Sequence, residues 1–318
     1  MKKLLTVLLA LVMVFAMTAC GGTSDSEGAD GLVFATGGSA GTYYAYGTVL
    51  AEYVSNNADV SVTAVEGNGS QANIEDLDAD ECQLAFCQSD VMSYAYAGTN
   101  LFEAPVESFS VVCALYMEDV QIVTCNPDIK TAADLKGKTV SVGVQGSGVY
   151  FNALDVLAAY DMTIDDITPV YQNFGDSTES LKDNKIDAAF VVAGAPTNSI
   201  VELSTAKQAY IVSIDDEHID KLIEMSPYYS KHIIPKDAYG TDEDAQTVAV
   251  AAMVLARDDV AEDTVKAFLT SIFEGKSEIQ HDKANDLDLE FASSVTSVPY
   301  HAGAVSFFAD NGIEVAGK

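Results

Sequence analysis

Residues 39–53, SAGTYYAYGTVLAEY, can be laid over residues 146–160, GSGVYFNALDVLAAY, with six of fifteen positions identical at an offset of 107. The shared residues are Gly41/Gly148, Tyr43/Tyr150, Val49/Val156, Leu50/Leu157, Ala51/Ala158 and Tyr53/Tyr160. Such a repeat says more about architecture than composition does, because each copy must build the same supersecondary unit. A short β-rich run precedes each copy, LVFAT at 32–36 and KTVSVGV at 138–144. Apolar residues then recur at helical spacing behind a Gly/Ser loop.

The echo continues downstream. CQLAFCQSD (82–90) and IDAAFVVAG (186–194) both carry Ala-Phe in a buried-strand pattern. The helix-like stretches SQANIEDLDAD (70–80) and STESLKDNK (177–185) precede them. Each half therefore reads strand, Gly loop, helix, strand, helix, strand, which is the unit of a parallel α/β sheet. Two long β-rich runs, 109–124 and 245–256, are predicted to cross between the halves. The expected fold is α/β with two parallel-sheet lobes: 31–118 plus 246–318 as lobe 1, and 119–245 as lobe 2. Two crossover strands make a hinge, and a hinge permits closure around a ligand.

The N-terminus points to export. Lys2 and Lys3 precede the apolar run 4–17 and the small-residue site Thr18-Ala19-Cys20, the pattern of a signal peptide over 1–19. Cleavage before Cys20 would leave a lipid-modifiable cysteine, and residues 20–30 read as a flexible Gly/Ser/Asp tether. Plain secretion and an N-terminal membrane helix are the alternatives. The whole chain carries 16 basic and 48 acidic residues in 318. Loss of Lys2 and Lys3 leaves 14 basic against 48 acidic, a balance of −34. Such a surface has no basic footprint for nucleic acid.

Four further cysteines, at 82, 87, 113 and 125, lack metal-type spacing. Cys113 and Cys125 lie symmetrically about Asp119, so a hairpin there would set them opposite each other. Buried free thiols are the simpler expectation. No metal and no cofactor is expected, since no P-loop, H-E-x-x-H or spaced Cys/His set occurs.

In open α/β sheets, ligands bind beyond the C-terminal strand ends. That rule brings TGGSAGTYY (36–44), GNGSQAN (67–73) and CQSD (87–90) to face GVQGSGVY (143–150) and VAGAP (192–196). Their glycines allow close backbone approach, and helix starts favour negative charge. No Lys or Arg lies between Lys3 and Lys130, and Arg257 is the sole arginine. Lobe 1 must therefore hold an anion with N–H groups, hydroxyls and amides, which favours a carboxylate over a phosphate ester.

Gly37-Gly38-Ser39-Ala40-Gly41 also spells the G-x-S-x-G of serine hydrolases. The second copy keeps the glycine and the aromatic but not the elbow, and Tyr43-Tyr44 would crowd an oxyanion hole. A binding protein rather than an enzyme is expected. His301 reads as a structural hydrogen-bonder, His218 and His232 as surface residues, and Tyr228-Tyr229 as core or lobe packing.

Taken together, TGGSAGTYYAYG, GSQAN, QSDVMSYAYAG, DLKGKTVSVGVQGSG, IDAAFVVAGAP, IPKDAYG and VPYHAGA resemble, in content and order, the TAXI-type solute receptors of TRAP transporters. The resemblance spans nearly all of the chain behind the leader. It implies a two-lobed periplasmic-binding-protein-like fold of type II that binds a small organic anion or amino acid, of the glutamate, 2-oxoglutarate or dicarboxylate class. It further implies delivery to a TRAP-type membrane permease by a receptor held outside the cytoplasm through lipid at Cys20. Family contacts would fall on Ser39, Gly41 and Tyr44, on Ser70 and Asn73, and on Gln88 and Ser89. In lobe 2 they would fall on Gly146, Ser147 and Gly148, with the Gly194–Pro196 turn closing the pocket. A receptor of the same fold serving an ATP-driven importer, or a ligand-sensing surface lipoprotein, is the alternative.

Overall fold

The computed structural model describes residues 31–318. The expected signal peptide, the lipid site at Cys20 and the tether over 20–30 lie outside these residues.

The first repeat unit runs β1 (Leu32–Ala35), α1 (Thr42–Asn57), β2 (Val62–Val65), α2 (Ser70–Asp78), β3 (Leu84–Gln88) and α3 (Ser89–Ala97). Strand β4 (Phe109–Thr124) follows. The second unit runs β5 (Thr139–Ser141), α4 (Gly148–Ala159), β6 (Thr168–Val170), α5 (Phe174–Lys182), β7 (Ala188–Ala193) and α6 (Asn198–Ala206). Next come β8 (Tyr210–Val212), α7 (Asp216–Met225), β9 (Ser230–Ile234) and β10 (Ala245–Arg257). The chain ends with α8 (Glu262–Glu274), the single turn α9 (Leu289–Ala292) and α10 (Ala302–Asp310). The two units reproduce the element order expected from the repeat.

The strands form one mixed sheet in the order β2-β1-β3-β10-β4-β7-β5-β6, with β8 beside β4 and β9 beside β10. Parallel triplets, β2-β1-β3 and β7-β5-β6, flank an antiparallel centre made by β10 and β4. Parallel strands buried on both faces need near-continuous apolar runs, and β3 and β7 are buried at every position.

Helix α1 shows how a unit packs. Its buried residues Tyr43, Tyr46, Gly47, Leu50, Ala51 and Val54 recur at three- and four-residue intervals, so one stripe faces the sheet. Tyr43 and Phe34 both stack on Phe86, with ring centroids at 4.5 and 4.9 Å. Each such aromatic contributes about 2–3 kcal/mol by leaving water. Gly47 makes this fit possible, because a Cβ there would stand 2.7 Å from Thr36 Cγ2 and 3.1 Å from the Phe86 ring.

Core membership changes partway along the two central strands. Phe109 to Tyr116 of β4 and Ala252 to Ala256 of β10 pack with the first unit and the C-terminal helices. Val120 and Ile122 of β4, with Val248 and Val250 of β10, pack with the second unit. Glu118 and Val250 are paired in the sheet between these two regions.

Residues 109–124 form the single extended run expected of them, and the hairpin at Asp119 that a Cys113–Cys125 bond would need is not formed. Successive strand residues advance about 3.3 Å, which puts Cys113 and Cys125 far apart along one direction; all four described cysteines are free thiols.

Candidate functional site

Six helices start at C-terminal strand ends: α1 after β1, α2 after β2, α3 after β3, α4 after β5, α5 after β6 and α6 after β7. The two triplets run in opposite directions, so these ends face each other at the middle of β4 and β10, with Gln88 opposite Ala252 and Ala193 opposite Asp119. The connecting loops of both units surround a cavity of about 470 Å³, a size that suits a small organic ligand. Its walls come from 37–43, 66–70 and Gln88 of the first unit, and from 143–144, 147–149, 172–176 and 192–193 of the second. Glu118 of β4 completes the lining.

Three helix starts at the cavity are open. Gly41, Gly69 and Ser147 precede α1, α2 and α4, and none supplies a side-chain cap. First-turn N–H groups have no intrahelical partner, so uncapped starts offer donors to an anion. By contrast α5 is capped internally, with Asn173 Oδ1 accepting the Asp176 N–H at 2.8 Å.

The units touch around the cavity. Ala72 N–H donates to Gly146 O at 2.9 Å, and Thr42 Oγ1 donates to Gly194 O at 3.2 Å. A Cβ on Gly41 would come 3.2 Å from the Phe174 ring. Beside the cavity, Gln88 Nε2 donates to Asn152 Oδ1 at 2.9 Å. Asn152 Nδ2 donates to Asp90 Oδ2 and to Tyr229 OH, each at 2.8 Å. Tyr229 in turn donates to Asp155 Oδ2 at 2.8 Å. The expected packing role of Tyr229 thus takes a polar form, bridging elements through a buried network.

Charge in the cavity is one-sided. Its charged lining residues are Glu66, Glu118 and Asp176, and no Lys, Arg or His is among them. Glu66 Oε1 accepts the Ser39 N–H at 2.9 Å, which pins the first loop. Glu118 is buried, with hydroxyls of Tyr43 and Tyr116 each donating to one oxygen at 3.3 Å. Burial raises its carboxyl well above the usual carboxylate range, and the charge of Asp90 adds to this.

Six of the residues expected to touch ligand line the cavity: Ser39, Gly41, Ser70, Gln88, Ser147 and Gly148. The other six stand behind or beside it. Tyr44 is half-buried outside the lining, and its neighbour Tyr43 faces in instead. Asn73 is fully buried, its Nδ2 donating to Thr36 O at 2.7 Å and Phe86 O at 2.8 Å, so its amide ties the ends of β1 and β3. Ser89 Oγ accepts the Ala251 N–H at 3.1 Å. Gly146 and Gly194 contribute carbonyls to the contacts above, and Pro196 is exposed.

The residues expected to touch ligand included Tyr44 but not Tyr43, and neither Glu118 nor the segment 172–176. A signal existed for two of these. Glu118 and Asp119 are the only charged residues in the β-rich run 109–124, and QNFGDS (172–177) leads into α5 as GNGSQAN (67–73) leads into α2. No histidine lines the cavity beside Ser39, so the G-x-S-x-G stretch does not meet the histidine of a Ser-His-acid triad there. His301 accepts the Gly303 N–H at 3.2 Å through Nδ1 and caps α10. His218 and His232 are not free surface groups: His218 stacks on Tyr160 at 3.5 Å, and His232 pairs with buried Asp119.

Residues 34–312 match the NMT1-like family. The chain belongs to that family. The NMT1-like fold seen here is also found in solved structures of low sequence identity. The alkanesulfonate-binding protein SsuA from Xanthomonas axonopodis pv. citri, bound to MOPS, is 15% identical. It aligns over 87% of this chain and 83% of its own, with a TM-score of 0.51. MatC from Rhodopseudomonas palustris, with bound malate, is 12% identical over 80% and 86% of the two chains, at a TM-score of 0.55. The ligand-binding component of an ABC-type import system from Staphylococcus aureus, with zinc bound, is 11% identical over 80% and 77%, at 0.51. This NMT1-like chain therefore has a periplasmic-binding-protein-like α/β fold. Among its described residues no helix is long and apolar enough to cross a membrane.

Proposed function

We propose that the protein is an extracytoplasmic solute receptor. It binds a small organic anion or amino acid in the cavity between two lobes, 31–118 plus 246–318 and 119–245, which hinge on β4 and β10. The observation that carries this reading is the cavity itself: three uncapped helix starts from both repeat units converge on it. Ser39, Gly41, Ser70, Gln88, Ser147 and Gly148 hold the ligand, and Asn73, Ser89, Gly146 and Gly194 hold the loops that present them.

Within this reading the protein is of the TAXI type, tethered through lipid at Cys20, and hands its ligand to a TRAP-type permease. The motifs spread over both lobes support that assignment. A thermal-shift panel of amino acids, 2-oxo acids and dicarboxylates tests it. A ligand bound only by the folded chain stabilises it by RT ln(1 + [L]/Kd), about 2.7 kcal/mol at a hundredfold excess over Kd, and so raises Tm. Silence across the panel would remove carboxylates as the ligand class. Reconstituting uptake with a TRAP permease, in the absence of ATP, separates that partner from an ATP-driven importer.

A further inference from the structure

Glu118 is out of place for a carboxylate. It sits in the middle of a sheet, 2% exposed, on the strand where the two cores meet, yet it reaches the cavity wall. A buried carboxylate is normally paired with a base, because removing an isolated charge from water is costly. Here the partners are the hydroxyls of Tyr43 and Tyr116. The nearby base is Lys283, whose ammonium stands 5.4 Å from the centroid of the Tyr116 ring and pairs with Asp286 at 3.3 Å. It does not line the cavity. The other two acids of the wall already accept hydrogen bonds, Glu66 from the Ser39 N–H of the first loop and Asp176 from the Asn173 amide at 2.9 Å. The cavity thus offers N–H groups at its helix starts and one buried carboxylate with no cationic side chain beside it on the wall.

We propose that Glu118 is a specificity residue: it receives the ammonium group of a zwitterionic amino acid whose carboxylate rests on the uncapped helix starts. The proposal rests on the receptor reading above and narrows its ligand class. A second carboxylate in place of the ammonium would find no base on the cavity wall. An ammonium finds an acceptor already oriented by two donated hydroxyl hydrogens.

The proton balance follows. In the free receptor, burial and Asp90 favour protonated Glu118, while Tyr43, Tyr116 and Lys283 favour the ionised form. Cys87 also faces it, and burial keeps that thiol neutral. An incoming ammonium ionises Glu118, so the complex releases up to one proton to solvent. Affinity then rises with pH, approaching tenfold per unit where free Glu118 is protonated. A ligand carboxylate accepting a proton held on Glu118 would give the opposite sign.

The test uses the purified full chain and matched pairs of probes: glutamate and glutarate, alanine and propanoate, leucine and 4-methylpentanoate. Thermal shift ranks them, and calorimetry in buffers of different ionisation enthalpy counts protons. The expected result is binding of an amino acid with proton release, at least tenfold tighter than its des-amino partner. Glu118→Gln should lower that affinity at least tenfold and abolish the release. If Glu118→Gln does not fold, the proton count on the unaltered chain decides. Equal binding of a des-amino acid, or proton uptake, overturns the Glu118 proposal and leaves the receptor reading intact. Failure of every amino acid and every carboxylate to raise Tm overturns both.

Discussion

Gly148 faces Gln88 so closely that a Cβ on the glycine would lie 1.4 Å from Oε1 of the glutamine. The two residues belong to different repeat units, and Gly148 opens the helix that faces the cavity. Gln88 is the flexible partner, so Gly148→Ala should swing its amide away and break the 2.9 Å bond to Asn152. Losing one buried hydrogen bond costs about 1 kcal/mol. For a chain of this size that is a fall in Tm of roughly 1–2 °C. Calorimetry should also show weaker ligand binding, because Gln88 forms part of the wall. An unchanged Tm together with unchanged affinity would mean that the close approach carries no weight.

Asn73 supplies a contrasting prediction. Its side chain donates to carbonyls at the ends of β1 and β3, and so sets the base from which two cavity loops spring. Asn73→Ala would leave both carbonyls without that donor, inside a fully buried site. The expected loss is about 2–4 kcal/mol in urea unfolding, with m unchanged. A ligand contact would behave differently, lowering affinity while leaving the unliganded protein stable.

These two positions also mark how far the sequence was legible. The duplication revealed the element order, because a repeated Gly loop and helical stripe survive one-dimensional comparison. It could not tell Tyr43 from Tyr44, since neighbours on a helix differ by about 100° and only packing on Phe86 decides which faces in. It could not expose Asn73 as a tie between strands, because the carbonyls it holds have no side-chain signature. Glu118 was visible as an acid in an apolar run, but its meaning depends on the exchange of cores at β4 and β10. The hairpin that would have joined Cys113 to Cys125 is ruled out for a related reason: a neighbouring strand, here β10 with Val250 and Ala249 opposite the two acids, carries the run straight on.

Ser39 separates binding from catalysis. Its backbone N–H holds Glu66, and that bond survives Ser39→Ala. The variant should fold as the unaltered chain does, within about 0.5 kcal/mol, and bind ligand up to roughly tenfold more weakly if one hydroxyl hydrogen bond is lost. Neither protein should turn over p-nitrophenyl acetate. Turnover by the unaltered chain that disappears in Ser39→Ala would restore the hydrolase reading.

Asp90 contributes a pH-dependent part of the stability, of the same sign as that of buried Glu118 and Asp155. It is fully buried: Oδ2 accepts from Asn152, and Oδ1 has no partner. The titratable groups facing it are Asp155, Glu118, Tyr94, Tyr229 and Cys87, with no base in the set. Burial chiefly, with the charge of Asp155 added, raises its carboxyl to about 7. The folded chain therefore binds this proton more tightly than the unfolded chain does. Its stabilising effect is complete below the unfolded pKa, near 4, and is lost as pH climbs through about 7. The loss is at most about 4 kcal/mol across that window. Asp90→Asn keeps the shape and removes the titration, so its Tm should vary less between pH 4 and 7 and exceed that of the unaltered chain at pH 8. Parallel Tm–pH curves for the two proteins would place the proton elsewhere in the network.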